Sequence, residues 1–261
     1  SSGVTFTVNS GSALQVNGGS GLMYGFTLNT GCGPLVFNGG NNSVTTLVAN
    51  AGTAVEVTGG THLFYCPLGG NYRSNRYTQT GGTATFDNSQ GMGNTNVVHA
   101  FVSGGTLNIG TTQPPRGLGL LASGNAVVKM AAQQRIASDG TSHSLIVTNN
   151  ADVTSAQTLQ FMSVGSTAST GIVALAGGTL TVSGLGNGEA NAISPVFMYF
   201  NGGLLKLSVS TTVGANPYTT FYVMEGGARI DGGSAQTQIN QPLVNGTGGA
   251  ADGGLTKYGT S

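Results

Sequence analysis

The chain has 261 residues and a formal net charge of zero, and only 6% of its residues are charged, against about 25% in ordinary soluble domains. Nucleic acids and anionic lipids require clustered Lys and Arg, so eight scattered basic residues exclude both as partners. No window approaches the roughly 18 uninterrupted apolar residues of a membrane-spanning helix.

Glycine pairs recur along the chain, and their spacing is the strongest signal in the sequence. The residues that precede the regular pairs are Asn17, Asn38, Thr58, Thr80, Ser103, Ala176, Asn201 and Glu225. Degenerate copies that begin at Ala122 and Val147 fill the gap after Ser103, because Asn tolerates the positive φ that Gly adopts. The resulting period of about 23 residues is typical of stacked repeats.

The glycine pairs are predicted to be the corners of stacked coils. These corner residues are Gly18, Gly19, Gly39, Gly40, Gly59, Gly60, Gly81, Gly82, Gly104, Gly105, Gly177, Gly178, Gly202, Gly203, Gly226 and Gly227.

Side chains alternate between apolar and polar after each corner, as in Leu180, Thr181 and Val182. A period of two predicts a half-buried strand. One apolar position of this strand defines a predicted core ladder, which consists of Phe86, Ile109, Val128, Val153, Val182 and Leu207.

Further strand-like runs lie between the corners, at 144–148, 158–164 and 170–176. Each repeat therefore supplies two or three short strands, which predicts an all-β, parallel β-solenoid of ten to eleven coils. A β-propeller would need about 40 to 45 residues per blade, and a β-sandwich remains an alternative. Residues 125–140 have helical propensity and poor alternation, so we expect an insertion of one or two helical turns there.

We expect a single solenoid domain over residues 1–261. Residues 1–16 form an N-terminal strand or edge coil, 17–240 the regular coils, and 241–261 a glycine-rich C-terminal extension. At the strand spacing of about 4.8 Å, this number of coils gives a rod about 50 Å long.

The titratable residues show no pattern that indicates catalysis or metal binding. Glycosidases use two carboxylates about 5 to 9.5 Å apart, but no two neighbouring coils carry acids at the same distance from their corners. Asp139 and Asp152, for example, lie 17 and 5 residues after the starts of their copies. His62, His99 and His143 are far apart and lack Cys or acidic neighbours at ligand spacing. We therefore predict no catalytic residue, no metal site and no cofactor.

Two features leave alternatives open. Cys32 and Cys66 form either a disulfide, which would fit an oxidising, extracytoplasmic location, or two buried thiols. The aromatic runs at 197–200 and 221–224 form either a core ladder with half-exposed tyrosines or a stacking surface for sugars or a neighbouring subunit.

Residues 253–261, GGLTKYGTS, resemble the opening of the bacterial autotransporter-associated β-strand repeat, GGLTK-x-G. The matching residues are Gly253, Gly254, Leu255, Thr256, Lys257 and Gly259. A looser resemblance, in coils of the GGTLTV type, extends from Asn17 onwards. It implies a right-handed β-helix, export to the outer cell surface or beyond, and adhesive or structural work. The start at Ser1, without Met, suggests a processed product.

The two ends of the predicted solenoid suggest its function. Natural solenoids cover their terminal strand edges with caps, and neither end of this sequence shows one. The residues expected at the ends are Val4, Phe6, Val8, Leu255, Lys257 and Tyr258. The leading hypothesis is a structural subunit of an extracellular bacterial fibre or surface layer, in which the chain binds itself head to tail. The alternatives are an autotransporter-like adhesin that binds cell-surface glycans and, third, a β-helix polysaccharide lyase or glycosidase.

Overall fold

A computed structural model describes residues 4–65, 75–87, 98–110, 118–136, 143–161, 169–187, 195–213, 217–233 and 236–260. The described residues contain no helix, and their parallel strands stack as a β-solenoid of about nine turns about 23 residues apart. The predicted fold class and period are therefore confirmed, and right-handedness stays a prediction. The observed turns are somewhat fewer than the expected ten to eleven coils.

The described residues form 24 strands. In chain order they are β1 (Thr5–Val8), β2 (Leu14–Val16), β3 (Ser20–Leu28), β4 (Leu35–Ala49), β5 (Ala54–Phe64), β6 (Asn75–Gln79), β7 (Thr83–Asp87), β8 (Val98–Val102), β9 (Thr106–Gly110), β10 (Leu118–Ala122), β11 (Val127–Met130), β12 (Gln134–Ile136), β13 (His143–Ser155), β14 (Leu159–Phe161), β15 (Gly171–Val182), β16 (Leu185–Asn187), β17 (Val196–Phe200), β18 (Leu204–Leu207), β19 (Thr211–Val213), β20 (Thr219–Val223), β21 (Ala228–Asp231), β22 (Thr237–Ile239), β23 (Leu243–Asn245) and β24 (Leu255–Tyr258).

The chain divides into two compact units. Unit 1 comprises Ser1–Leu120 and Asn125–Ala132, and unit 2 comprises Leu121–Gly124 and Gln133–Ser261. In both units a turn of the solenoid passes through a pre-corner face, a glycine corner, a post-corner face and a third face. Each face is a parallel ladder in which corresponding residues of successive turns lie beside one another.

In unit 1 the inward side chains form continuous columns. The pre-corner column is Leu14, Leu35, Val55, Tyr77 and Ala100. The post-corner column is Met23, Val44, Phe64, Phe86, Ile109 and Met130. The third face includes Val8, Leu28 and Ala49.

Unit 2 repeats this arrangement. Its pre-corner column is Leu145, Val173, Met198, Phe221 and Leu243. Its post-corner column is Val153, Leu180, Leu205, Ile230 and Lys257. The third face contains β12, β14 and β16, and separately β19 and β22.

All six residues of the predicted core ladder are buried, but they belong to two columns. Phe86 pairs with Ile109, and Val182 pairs with Leu207. Val128 instead lies beside Leu107, and Val153 beside Leu180, one inward position closer to the corner. This difference arises at the two degenerate corners. In the copy that begins at Ala122, small residues led to a predicted corner that lies too early in the chain. In the copy that begins at Val147, a β-bulge between Asn149 and Asp152 shifts the register.

The expected helical insertion at 125–140 was wrong for the part that the structure describes. Residues 127–130 and 134–136 are the strands β11 and β12, and residues 137–140 lie outside the described residues. Ala126, Val128, Met130 and Ala132 point inward and are buried. The alternating burial of these side chains in the column outweighs the weak intrinsic preference of Ala, Gln and Met for helix.

The glycine pairs form the corners, and each of the eight pairs has at least one residue with positive φ. These residues are Gly18, Gly19, Gly39, Gly40, Gly60, Gly82, Gly105, Gly177, Gly178, Gly202 and Gly227. In the degenerate copy, Asn149 takes φ 56° beside Gly177 and is the only described non-glycine residue with positive φ. A second cause is close approach, since a Cβ on Gly40 would lie 2.0 Å from the carbonyl oxygen of Gly19.

Candidate assembly edges

The first turn of unit 1 consists of β1, β2 and residues Ser20–Met23 of β3. Each of these strands pairs with the following turn, through Val8 and Leu28, Val16 and Phe37, and Met23 and Val44. Among the described residues, no further strand is hydrogen-bonded to the opposite side of these three strands. We call this side the N-terminal edge.

Apolar side chains are exposed at the N-terminal edge. Phe6 is 44% exposed, although its register partner Phe26 in the next turn is only 1% exposed. The two rings stack with centroids 5.5 Å apart, so Phe6 covers Phe26 but nothing covers Phe6 in the described chain. Val4 and Leu22 are also exposed, whereas Val8 is buried.

The last turn of unit 2 presents a second edge. There β22 pairs with β19, β23 with β20, and β24 with β21. Within the described part of the chain these three strands have no hydrogen-bonded partner strand on their other side, which we call the C-terminal edge. Leu255, Tyr258 and Val244 are exposed large side chains at this edge.

The core of unit 2 opens at the C-terminal edge. A cavity of about 240 Å³ is lined by Ile230, Gly232, Thr237, Ile239, Leu255 and Lys257. Lys257 continues the inward column of Leu205 and Ile230, yet it is exposed because no further described turn covers it. Of the predicted end residues, Phe6 thus lies at the N-terminal edge, and Leu255, Lys257 and Tyr258 lie at the C-terminal edge.

The corner glycines behave differently at the edges and in the interior. A Cβ on Gly60 or Gly105 would come within 2.3 Å of a carbonyl oxygen in the preceding turn. Gly19 and Gly254 have similar φ values of 78° and 68°, but a Cβ on either would meet nothing within 4 Å. These two corners therefore have the conformation for tight stacking and no described turn stacked on their open side.

Two polar ladders, which the sequence reasoning missed, run through unit 1 to the N-terminal edge. In the first, Asn29 Nδ2 donates to Asn9 Oδ1 at 2.9 Å and Asn50 Nδ2 donates to Asn29 Oδ1 at 3.2 Å. In the second, Asn38 Nδ2 donates to Asn17 Oδ1 at 3.4 Å and Thr58 Oγ1 donates to Asn38 Oδ1 at 2.6 Å. The recurrence of Asn at intervals of 20 and 21 residues was the available signal.

Two of the three histidines, His62 and His143, are buried, and His99 is exposed. His62 is fully buried, and its Nε2–H donates to the carbonyl oxygen of Gly59 at 2.7 Å while Nδ1 faces the Asn42 amide at 3.5 Å. Desolvation lowers the pKa of His62, and the hydrogen bond to Gly59 opposes this only in part. Neutral His62 thus fills the column as a satisfied polar residue.

The structure brings together few of the other titratable residues. Among the described residues, no two carboxylates are register partners, and no group of three His, Cys, Asp or Glu could hold a metal ion. Cys32 is half-buried, and burial raises the pKa of its thiol. Cys66 lies outside the described residues, so the disulfide stays a prediction.

The described chain has no helix that is long and apolar enough to span a membrane.

The aromatic runs of unit 2 contribute to both sides of the pre-corner face. Met198, Phe200, Phe221 and Val223 are buried. Tyr199 and Tyr222 lie beside each other in register on the outward side, with ring centroids 5.2 Å apart and an interplanar angle of 16°. Phe197 points the same way, with its centroid 6.3 Å from that of Tyr222.

Comparison with family models, with curated proteins and with solved structures found no match for this chain.

Proposed function

We propose that the chain is a structural subunit of an extracellular fibre or surface layer and that it assembles head to tail through the two edges. One observation carries the proposal. The C-terminal edge presents a third-face strand, a pre-corner strand and a post-corner strand in the order β22, β23, β24. The N-terminal edge presents the same three kinds of strand in the same order, as β1, β2 and the first part of β3.

Continuation of the columns defines which residues meet in the joint. Lys257 ends the column of first inward positions after the corner in one copy, and it would lie beside Gly21, which holds the first inward position after the corner in the first turn of the next copy. The outward residues Tyr258 and Leu22 would then become neighbours, and both are exposed large hydrophobic side chains. On the pre-corner face, Leu243 would lie beside Leu14.

The joint would gain stability from two sources. About ten strand residues on each side would form parallel backbone hydrogen bonds, each of which contributes about 0.5–1.5 kcal/mol net. Burial of the exposed parts of Phe6, Leu22 and Leu255 would add about 25 cal/mol for each Å² removed from water. The two surfaces differ, so the contact is heterologous and produces a filament rather than a closed dimer.

The proposal is tested by the state of the purified chain over a range of concentrations. Electron microscopy should show filaments one molecule wide whose mean length increases with concentration. Sedimentation velocity should show the loss of monomer around the dissociation constant of the joint, the concentration that we call the critical concentration. Dispersed particles of constant mass at millimolar concentration would contradict the proposal.

A matched pair of variants makes the test specific to the edge. Leu22 and Leu63 occupy the same outward column, two turns apart, but only Leu22 lies at the N-terminal edge. Leu22→Lys should abolish filaments, because it removes an apolar contact and brings a second cation to the ring of the neighbouring copy's Tyr258, over which the Arg229 guanidinium already lies 5.5 Å from the centroid. Leu63→Lys should leave assembly intact.

A second candidate function is an adhesin that binds glycans, and the outward pair Tyr199 and Tyr222 favours it. Aromatic side chains with a polar tip are common on surfaces that bind other molecules. This hypothesis predicts saturable binding of the monomeric chain to immobilised cell-surface glycans, with loss of binding in Tyr199→Ala and no change in Leu63→Lys.

A further inference from the structure

The amide ladder of Asn9, Asn29 and Asn50 has a direction. Asn29 donates its Nδ2–H to Oδ1 of Asn9 in the preceding turn, and its own Oδ1 accepts from Nδ2 of Asn50 in the following turn. Asn9 accepts from Asn29, but its Nδ2 donates to no group in the described chain. The ladder thus ends at the N-terminal edge with an unused donor.

All three ladder residues have the same place in a turn. Each follows directly after a third-face strand, and in the two inner turns its backbone N–H donates to the preceding turn. Asn29 N donates to Val8 O at 3.0 Å, and Asn50 N donates to Leu28 O at 3.1 Å.

Asn240 has this same place in the last turn of unit 2. It directly follows β22, and its backbone N–H donates to Val213 O at 2.8 Å. Its Oδ1 accepts one hydrogen bond, at 2.9 Å, from Gln238 Nε2 on the exposed surface. A side-chain amide oxygen has two lone pairs, so Asn240 Oδ1 can accept a second donor.

We propose that Asn9 of one copy donates its Nδ2–H to Oδ1 of Asn240 of the preceding copy, so that the amide ladder continues across the joint and sets its register. The inference rests on the proposed head-to-tail assembly and identifies the polar contact within it.

The joint requires a feature of this kind because backbone pairing alone does not select one register. A shift by one residue would turn each inward side chain outward and is excluded by the core. A shift by two residues keeps the inward columns apolar, but it places Asn9 beside Gln238 or Pro242 instead of Asn240. Gln238 has a longer side chain, and Pro242 has no side-chain acceptor. Only the unshifted register aligns two amides of the same length at the same place in the turn.

Cysteine cross-linking tests this register directly. Cα atoms of neighbouring strands are about 4.8 Å apart, which is within the range of disulfides. In a Cys32→Ser, Cys66→Ser background, a chain with Asn9→Cys and Asn240→Cys should form a disulfide-linked series of multimers on mild oxidation. The control chain with Asn9→Cys and Gln238→Cys reports the register shifted by two residues and should remain unlinked.

The outcomes separate the register from the assembly. Filaments in which residues 9 and 238 cross-link, or in which residues 9 and 240 do not, would overturn the register and leave the proposed function standing. A parent chain that forms no filaments would overturn the assembly itself and the register with it. If only the cysteine-free background forms none, the Asn9→Ala measurement in the parent chain, described next, decides the register.

A second measurement uses the open end of the other ladder as its control. Asn17 also ends a ladder at the N-terminal edge, but the register places it beside Gly246, which has no side-chain acceptor. Asn9→Ala should raise the critical concentration about fivefold, as expected for one lost hydrogen bond, and Asn17→Ala should change it less. Equal effects of the two substitutions would contradict a specific role for Asn9.

Discussion

An alanine at Gly19 should permit folding and prevent assembly. Gly19 occupies the same corner column as Gly40 and Gly60, because the residues that follow them, Ser20, Asn41 and Thr61, are register partners. In the two interior turns a Cβ would lie 2.0 Å and 2.3 Å from a carbonyl oxygen of the preceding turn. At Gly19 that turn would be supplied by the neighbouring copy.

The structure provides controls for both parts of this effect. Gly52 has φ 75°, close to the 78° of Gly19, and a Cβ on either residue meets nothing within 4 Å in the chain. Gly52→Ala and Gly19→Ala should therefore destabilise the monomer equally, by the 1–2 kcal/mol or so that a left-handed L-residue costs. Gly60→Ala adds a clash with backbone atoms, so its free energy of unfolding should fall by about 2–5 kcal/mol in total.

Urea unfolding of the three variants below the critical concentration measures the monomer, and light scattering above it measures assembly. We expect Gly19→Ala to unfold like Gly52→Ala, to be more stable than Gly60→Ala, and to form no filaments at concentrations where Gly52→Ala does. The reasoning would be refuted if Gly19→Ala assembled as well as Gly52→Ala, since the open side of Gly19 would then have no stacking partner.

Two further predictions concern the inward columns. Lys257 is a charged residue in an apolar column at an open edge, a position that opposes strand pairing. Lys257→Met should therefore lower the critical concentration measured by light scattering. Lys129→Met, at an outward position of β11, should leave the critical concentration unchanged. The lowered pKa of His62 means that the unfolded chain binds more protons than the folded chain below about pH 6.5. The free energy of unfolding should therefore fall as the pH decreases through 6.5, and His62→Gln should flatten this part of a urea-unfolding profile measured at several pH values; an unchanged slope would show that His62 is not responsible.

The fold was predictable because two local signals agree in most turns. A glycine pair marks the corner, and alternating residues such as Leu180, Thr181 and Val182 mark the strand that follows. The predicted register was wrong where one of the two signals was missing. At Asn149 a β-bulge adds a residue, and no glycine pair in the sequence indicates its position. At residues 127–136, stacking between turns overrode local helical propensity, and a single sequence does not display contacts of that range.

The candidate edges were predictable in part. Val4, Phe6, Leu255 and Tyr258 follow from the idea that a solenoid without a cap exposes its terminal strands, and all four are exposed. Val8 is buried because its side chain packs inward beside Leu28. The role of Asn9 could not be inferred from composition, because Asn is frequent throughout the chain and only the register shows which copies align.

Substitution of the steric feature of the joint, Gly19, and of its polar feature, Asn9, should have different effects on assembly. A chain with so few charges has little electrostatic means to reject a wrong partner, so specificity has to come from shape and from hydrogen bonds. Gly19 controls whether a turn can approach closely, and Asn9 with the partner's Asn240 controls which register is stable. Gly19→Ala should therefore stop growth, whereas Asn9→Ala should permit growth with register errors, visible as filaments in which cysteines at 22 and 258 cross-link only in part. Complete cross-linking between residues 22 and 258 in the Asn9→Ala chain would show that the corner alone defines the register.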